Sequence, residues 1–208
     1  MPTISVSQNL LRSLMEQQGF EHDVEHVNNE LPLLGTDIDA CDESTLDIEI
    51  FPDRPDLLSG ETLAYAMANF LHNAPAQPSI EIEPSGLTMS VDESLQSVRP
   101  VIHAAVVRGV QLEDDEETLE TFIKGLMDHQ EKLHFALGRG RSRMSIGVHD
   151  LEKLAPPFRV ITVPGSTAFT PLARTEDMTI DDILQEHPKG VEYAHLLEGM
   201  NTYPLILD

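Results

Sequence analysis

The sequence holds a single cysteine, no tryptophan and only 5% aromatic residues in 208 positions. Cys41 has no internal partner for a disulfide, which points to a reducing compartment and a cytoplasmic location. Cationic side chains are scarce: 13 Lys plus Arg stand against 36 Asp plus Glu, a formal net charge of −23. Such a surface repels nucleic acid at long range. It fits a chain that never touches nucleic acid, one that does so through a local basic patch or a partner subunit, or one adapted to a salty cytoplasm. No apolar run approaches the roughly 20 residues that span a bilayer. The opening MPTISVSQNLL lacks the basic flank and apolar core of a secretory signal. A Walker loop, a GxGxxG fingerprint and a GxSxG elbow are all missing. What is present, 40% hydrophobic and 24% charged residues, suffices for one large domain or two small ones.

Periodicity predicts interspersed strands and helices, an α+β (mixed α/β) class. A strand over Thr3 to Val6 leads into a helix capped by Ser7 with a Leu10, Leu11, Leu14, Met15 stripe, ended by Gly19. A weaker helix over Asp23 to Glu30 is stopped by Pro32 and Gly35, and Asp37, Asp39, Asp42 and Glu43 read as an acidic loop. Leu46, Ile48 and Ile50 alternate with Asp47 and Glu49 as a half-buried strand. Pro52 and Pro55 make a rigid turn, after which Ser59 caps a helix with Leu63, Met67, Phe70 and Leu71 on one face.

The Pro-rich stretch within 75–84 reads as a linker between a 1–74 α/β domain and an 85–208 domain. Strands are expected near Leu87 to Val91 and Val101 to Val110. The acidic run Glu113 to Glu117 then opens a long helix burying Leu119, Phe122, Ile123, Leu126, Leu133 and Leu137, ended by Gly138 and Gly140. Met144, Ile146 and Val148 alternate as a strand, and Phe158 to Val163 forms another. Thr179 caps a helix over Ile180 to Gln185, followed by a helix over Lys189 to Leu197 and a strand over Tyr203 to Leu207.

Several clusters carry possible chemistry. Arg139, Arg141 and Arg143 form a basic cluster suited to phosphates, or equally to a helix C-terminus and solvent. His149 and Asp150 adjoin, but neighbours on a strand face opposite ways, so Asp150 reads better as the cap of a short helix at Leu151 to Leu154. Arg54, in the Asp53-Arg54-Pro55-Asp56 turn, suits carbonyls or carboxylates at a domain junction. His187, Lys189, Gly190 and Tyr193 could line a ligand pocket, or make a helix–helix turn. His22 and His26 are spaced i,i+4 without an evident third ligand, so no metal site is expected. Cys41 lacks a helper base and does not read as a catalytic thiolate.

In combination, six segments in order resemble the N-terminal part of the archaeal and eukaryotic phenylalanine–tRNA ligase β subunit. They are MPTISVSQNLL, LDIEIFPDRPDLLSGETLAYAMANFL, RSRMSIGVHDLEKLAPPF, Phe169 to Leu172, HPKGVEYAHLL and YPLILD. The resemblance implies a small α/β domain over 1–74 and a domain over 85–208 that hydrolyses tyrosine mischarged onto tRNA(Phe). It also implies an α-subunit partner in a heterotetramer, tRNA(Phe) as substrate, and ATP and Mg²⁺ for the complete ligase, none bound by this chain. Lys189, Gly190, Tyr193, Leu197 and His149 are the expected substrate-binding residues. Arg139, Arg141 and Arg143 are expected at the tRNA, and no catalytic residue is assigned.

Asp53 departs from the family's asparagine, and the family continues past Asp208 into a PPIIN-like stretch that completes the editing domain. A chain of this extent is expected neither to aminoacylate nor to edit robustly alone. A stand-alone tRNA-binding or trans-editing module, and a non-enzymatic interaction domain with an acidic docking surface, are the alternative readings.

Overall fold

Alternation in the first fifty residues builds a three-stranded antiparallel sheet. In the computed structural model, which describes residues 2–75, 80–110 and 116–208 without the side chains of Glu117 and Thr118, β1 (Thr3–Ser7) and β2 (Thr36–Cys41) flank β3 (Thr45–Ile50). Leu46, Ile48 and Ile50 are fully buried, each stabilising the unit by about 1.5–3 kcal/mol. α1 (Gln8–Gln17) buries Leu11 and Met15, and α3 (Gly60–His72) buries Leu63, Ala64, Met67 and Ala68 in the same core. Ser59 caps α3 by accepting from the Thr62 N–H at 3.2 Å. α2 (Val24–Glu30) is capped by Asp23, which accepts from the Glu25 and His26 N–H groups.

Two of these elements differ from the sequence reading. The first half of the expected acidic loop is strand β2, whose Thr36 and Ile38 turn towards the core while Asp37 and Asp39 are exposed; Asp42 and Glu43 do lie in the turn that leads into β3. Its register shifts between Ile38 and Ala40, a bulge that a strict alternation test does not see. Ser7 occupies the N-cap position of α1 but its hydroxyl makes no cap bond.

The chain forms two compact units, Met1–Ile80 with Gln111–Gly147, and Glu81–Val110 with Val148–Asp208. Thus the 85–208 stretch is shared between units, because α4 (Glu116–Ala136) packs Leu133 and Ala136 against the N-terminal core and Lys132 Nζ donates to the Thr3 carbonyl at 2.9 Å. Residues 76–79 of the expected linker and Glu113, Asp114 and Asp115 of the acidic run lie outside the described residues. The expected buried face of α4 is realised only in part. Leu133 packs inward and Leu126 is half-buried, whereas Leu119, Phe122, Ile123 and Leu137 are exposed. Among the described side chains of the helix, those packed on the core, Leu133 and Ala136, belong to its C-terminal half.

The second unit is built on β5 (Phe158–Val163), parallel to β4 (Met89–Val91) and antiparallel to β8 (Tyr203–Leu207). A small antiparallel pair joins β6 (Ala168–Phe169) to β7 (Met178–Thr179). Thr179 caps α5 (Ile180–Glu186) by accepting from the Asp182 N–H, and α6 (Pro188–Tyr193) follows after one residue. Leu95, Val160 and Ile180 are its buried hydrophobic residues among those described. The strand expected over Val101 to Val110 forms no ladder, and Val101 and Val107 are exposed. Alternation supplies a strand's faces, but a ladder also needs a neighbouring strand. No helix among the described residues is long and apolar enough to cross a membrane.

Candidate functional site

The sequence-nominated residues fall in different units. Arg139, Arg141 and Arg143 lie in the first, just beyond the end of α4. Gly138 is buried there, and a Cβ on it would stand 2.6 Å from the His134 carbonyl oxygen and 2.7 Å from that of Met144. The chain then turns through three left-handed residues, Arg139, Gly140 and Arg141, with φ of 49°, 62° and 68°. Backbone bonds stitch the turn: Gly140 N–H to the His134 carbonyl and Arg143 N–H to the Gly138 carbonyl, each at 2.9 Å. Arg141 forms an ion pair with Glu131 of α4. Arg139 and Arg143 are exposed.

The strand expected over Met144 to Val148 is absent, for a specific reason. His134, only 2% exposed, accepts the Ile146 N–H at its Nε2, at 2.7 Å. Gln130 Nε2 donates to the Ile146 carbonyl at 3.0 Å. Side chains of α4 thereby satisfy the main-chain groups that a neighbouring strand would otherwise pair.

In the second unit an open cleft of about 290 Å³ is lined by Leu184, Ala194, His195, Leu197, Glu198, Gly199, Met200 and Tyr203. Its lining combines apolar side chains, Leu184, Leu197 and Met200 among them, with an imidazole, a carboxylate and a phenol. Of the nominated residues Leu197 lines this cleft, while Lys189, Gly190, Tyr193 and His149 do not. Lys189 instead pairs with Glu192 at 2.7 Å and lies 5.8 Å from the Tyr193 ring centroid. Gly190 is buried where α6 meets α5; a Cβ there would come within 1.8 Å of the Ile183 carbonyl oxygen. His187 bonds the Leu172 carbonyl through Nε2 at 3.0 Å, so this segment makes a helix–helix turn. His149 is exposed, and Asp150 caps a 3-10 turn at Leu151–Lys153 by accepting the Glu152 N–H. Sequence reasoning missed Leu184, His195, Glu198, Met200 and Tyr203. The Gly199 turn, with φ of 80°, was the available signal that the chain doubles back there.

Remaining polar groups serve the fold. Arg54 grips Asp56 through two bonds of 3.0 and 2.8 Å and also donates to the Leu34 carbonyl, all within the first unit. The hydrogen bond from Arg54 holds the Asp56 carboxyl below its ordinary range. Burial pushes the Cys41 thiol up, away from thiolate reactivity. His22 Nε2 bonds Gln8 Oε1 at 2.7 Å, and burial lowers the His22 pKa. Among the described residues, no group of three or more His, Cys, Asp or Glu side chains is placed to hold a metal ion.

No family model matches the chain. The chain is 42% identical over all 208 residues to the phenylalanine–tRNA ligase β subunit of Methanococcoides burtonii. It is 45% identical over 186 residues, 89% of the chain, to that of Methanosarcina acetivorans, and 38% identical over its whole length to that of Archaeoglobus fulgidus. The fold superposes with a TM-score of 0.81 on an N-terminal fragment of the phenylalanyl-tRNA synthetase β subunit from Pyrococcus horikoshii. That match covers 100% of this chain and 58% of the fragment at 29% identity. The α+β chain is thus related to a subunit of an aminoacyl-tRNA ligase. The family is that of the archaeal-type phenylalanine–tRNA ligase β subunit, and the chain corresponds to its N-terminal part. It spans 36% of the length of the Methanococcoides relative and 33% of the Methanosarcina one.

Proposed function

We propose that this chain acts as the N-terminal portion of a phenylalanine–tRNA ligase β subunit and takes part in making Phe-tRNA(Phe). The observation that carries the reading is the 42% identity extending over the entire chain. In this role it works with an α subunit in a heterotetramer in the cytoplasm. The complete ligase uses ATP and Mg²⁺ for the aminoacylation step, and this chain need hold neither.

The second unit contributes to hydrolytic editing of Tyr-tRNA(Phe). An apolar pocket shaped for phenylalanine rejects an added hydroxyl only modestly, by about 10²-fold in comparable cases. A second site that hydrogen-bonds the phenol discriminates much better, because phenylalanine would leave its buried polar groups unpaired. The Leu184–Tyr203 cleft supports this reading: the half-buried Leu184, Leu197 and Met200 suit an aromatic ring, and His195 and Glu198, exposed in the free chain, can bond a hydroxyl of a ligand that covers them. Ester cleavage there is by a positioned water, with donors holding the carbonyl oxygen. The test is deacylation of Tyr-tRNA(Phe) by the ligase with and without Leu197→Ala and His195→Ala. Loss of tyrosine release with aminoacylation unchanged is expected; unchanged release removes the cleft from the editing role. The isolated chain is expected to show neither aminoacylation nor robust editing, and clear turnover by it would overturn that.

A further inference from the structure

We infer that the Arg139–Arg143 turn is a pre-formed contact for the phosphodiester backbone of RNA, in which Arg139 and Arg143 meet phosphates and Arg141 is a positioning residue. The inference rests on the tRNA reading above and separates three arginines that the sequence alone treats as equals.

The first ground is charge. Three of the chain's 13 cations fall within five residues, against a formal net charge of −23. A polyanion approaching this chain is repelled by most of it, so any productive approach is focused on such a patch. The second ground is the difference among the arginines. Arg141 is half-buried and its guanidinium is engaged by Glu131. Glu131 also stands 3.5 Å from His134 Nδ1, whose Nε2 holds the Ile146 N–H. Arg141 thus ties the turn to α4 through Glu131, while His134, a buried neighbour of Glu131 whose Nδ1 has no hydrogen-bond partner among the described residues, separately holds the chain beyond the turn at Ile146. Arg139 and Arg143 are exposed, and among the described residues neither side chain has an ion pair.

The third ground is rigidity. Non-glycine residues in the left-handed region persist only where their surroundings over-determine them, and here two of the three arginines are so placed. The Ser142 hydroxyl adds a 2.7 Å bond to the Arg139 carbonyl. A turn held this way loses little backbone freedom when it meets a ligand, so more of each phosphate contact is retained as affinity.

The test uses the full chain, a tRNA(Phe) transcript and fluorescence anisotropy across a salt series, with circular dichroism to verify folding of each variant. Arg139→Ala with Arg143→Ala is expected to make the log–log salt slope shallower by about 1.5–2, one phosphate per arginine. Arg141→Ala is expected to weaken binding with almost no slope change, and to have no further effect in a Glu131→Gln background, since it acts through that carboxylate. A slope change of about 1 for Arg141→Ala in both backgrounds would make Arg141 a direct contact and overturn its positioning role. Normal tRNA binding with an unaltered slope for the Arg139/Arg143 pair overturns the surface but spares the tRNA reading. Absence of binding by the unmodified chain at low salt overturns both. Competition by polyglutamate as strong as by tRNA would assign the turn to an acidic protein partner instead.

Discussion

Ile146 gives its backbone N–H to the imidazole Nε2 of His134 at 2.7 Å, across twelve residues of chain. An N–H donor requires an acceptor nitrogen, so Nδ1 carries the proton of the neutral ring, and it is Nδ1 that faces Glu131 at 3.5 Å. His134→Ala would leave the Ile146 N–H without its partner and open a void at a position only 2% exposed. The expected cost is about 2–4 kcal/mol. Hydrogen exchange at the Ile146 amide checks it: protection should fall sharply there while Ile48, in the middle of β3, stays protected.

Gly190 makes a sharper prediction. Gly190→Ala would place a Cβ 1.8 Å from the Ile183 carbonyl oxygen, a backbone atom that cannot swing away. α5 and α6 must separate, and overpacking of this kind costs about 1–3 kcal/mol or more. Urea unfolding followed by a probe in the second unit should show the loss, with the first unit unaffected. Gly199→Ala is a useful contrast, because nothing lies within 4 Å of its Cβ position and only its φ of 80° opposes the change.

The pH response should fall into two windows. His22 titrates below its ordinary value of 6.5, chiefly because it is buried and secondly because Arg12 is near. The folded state then binds fewer protons than the unfolded chain. The stability it contributes is present above 6.5 and is lost as pH falls through 6.5 towards the lowered folded value. Asp56 is also depressed, by its bonds to Arg54, so its contribution is present above 3.8 and is lost only at more acid pH, as the folded pKa is passed. Thermal melts from pH 7.5 to 5 should therefore show a decline that His22→Gln flattens and Asp56→Asn does not.

How much of this was legible from residues alone depends on range. Ser59, Asp150 and Thr179 were read correctly as caps because a cap is decided within three residues. β3 was legible because Leu46, Ile48 and Ile50 alternate strictly and all face one core. β2 was not, since its aspartates sit on the solvent face and a bulge breaks the period. The role of His134 had no local signal at all: its partner is Ile146, and only the fold of the turn brings them together. In the same way the sequence pointed to Lys189 and Tyr193, which pair with their own helix, and passed over Met200 and Tyr203, which line the cleft.

The two units should differ in local stability. The first buries a continuous cluster from Ile4 to Ala68, whereas the second buries Leu95, Val160 and Ile180 among its described residues and leaves Val101 65% and Val107 80% exposed. Opening free energy follows buried apolar contact, so amides of Val101 to Val110 should exchange near the rate of an unstructured peptide while those of Leu46 to Ile50 exchange only through global opening of their unit. Within the second unit Val160 is the strand residue packed deepest, 3% exposed at the centre of the β4-β5-β8 sheet. Val160→Ala removes two methyl groups and is expected to cost about 1–3 kcal/mol, a large share of what so small a core supplies. Exchange protection across β5 and β8 should collapse in that variant, and retention of it would mean that the sheet is held chiefly by its hydrogen bonds.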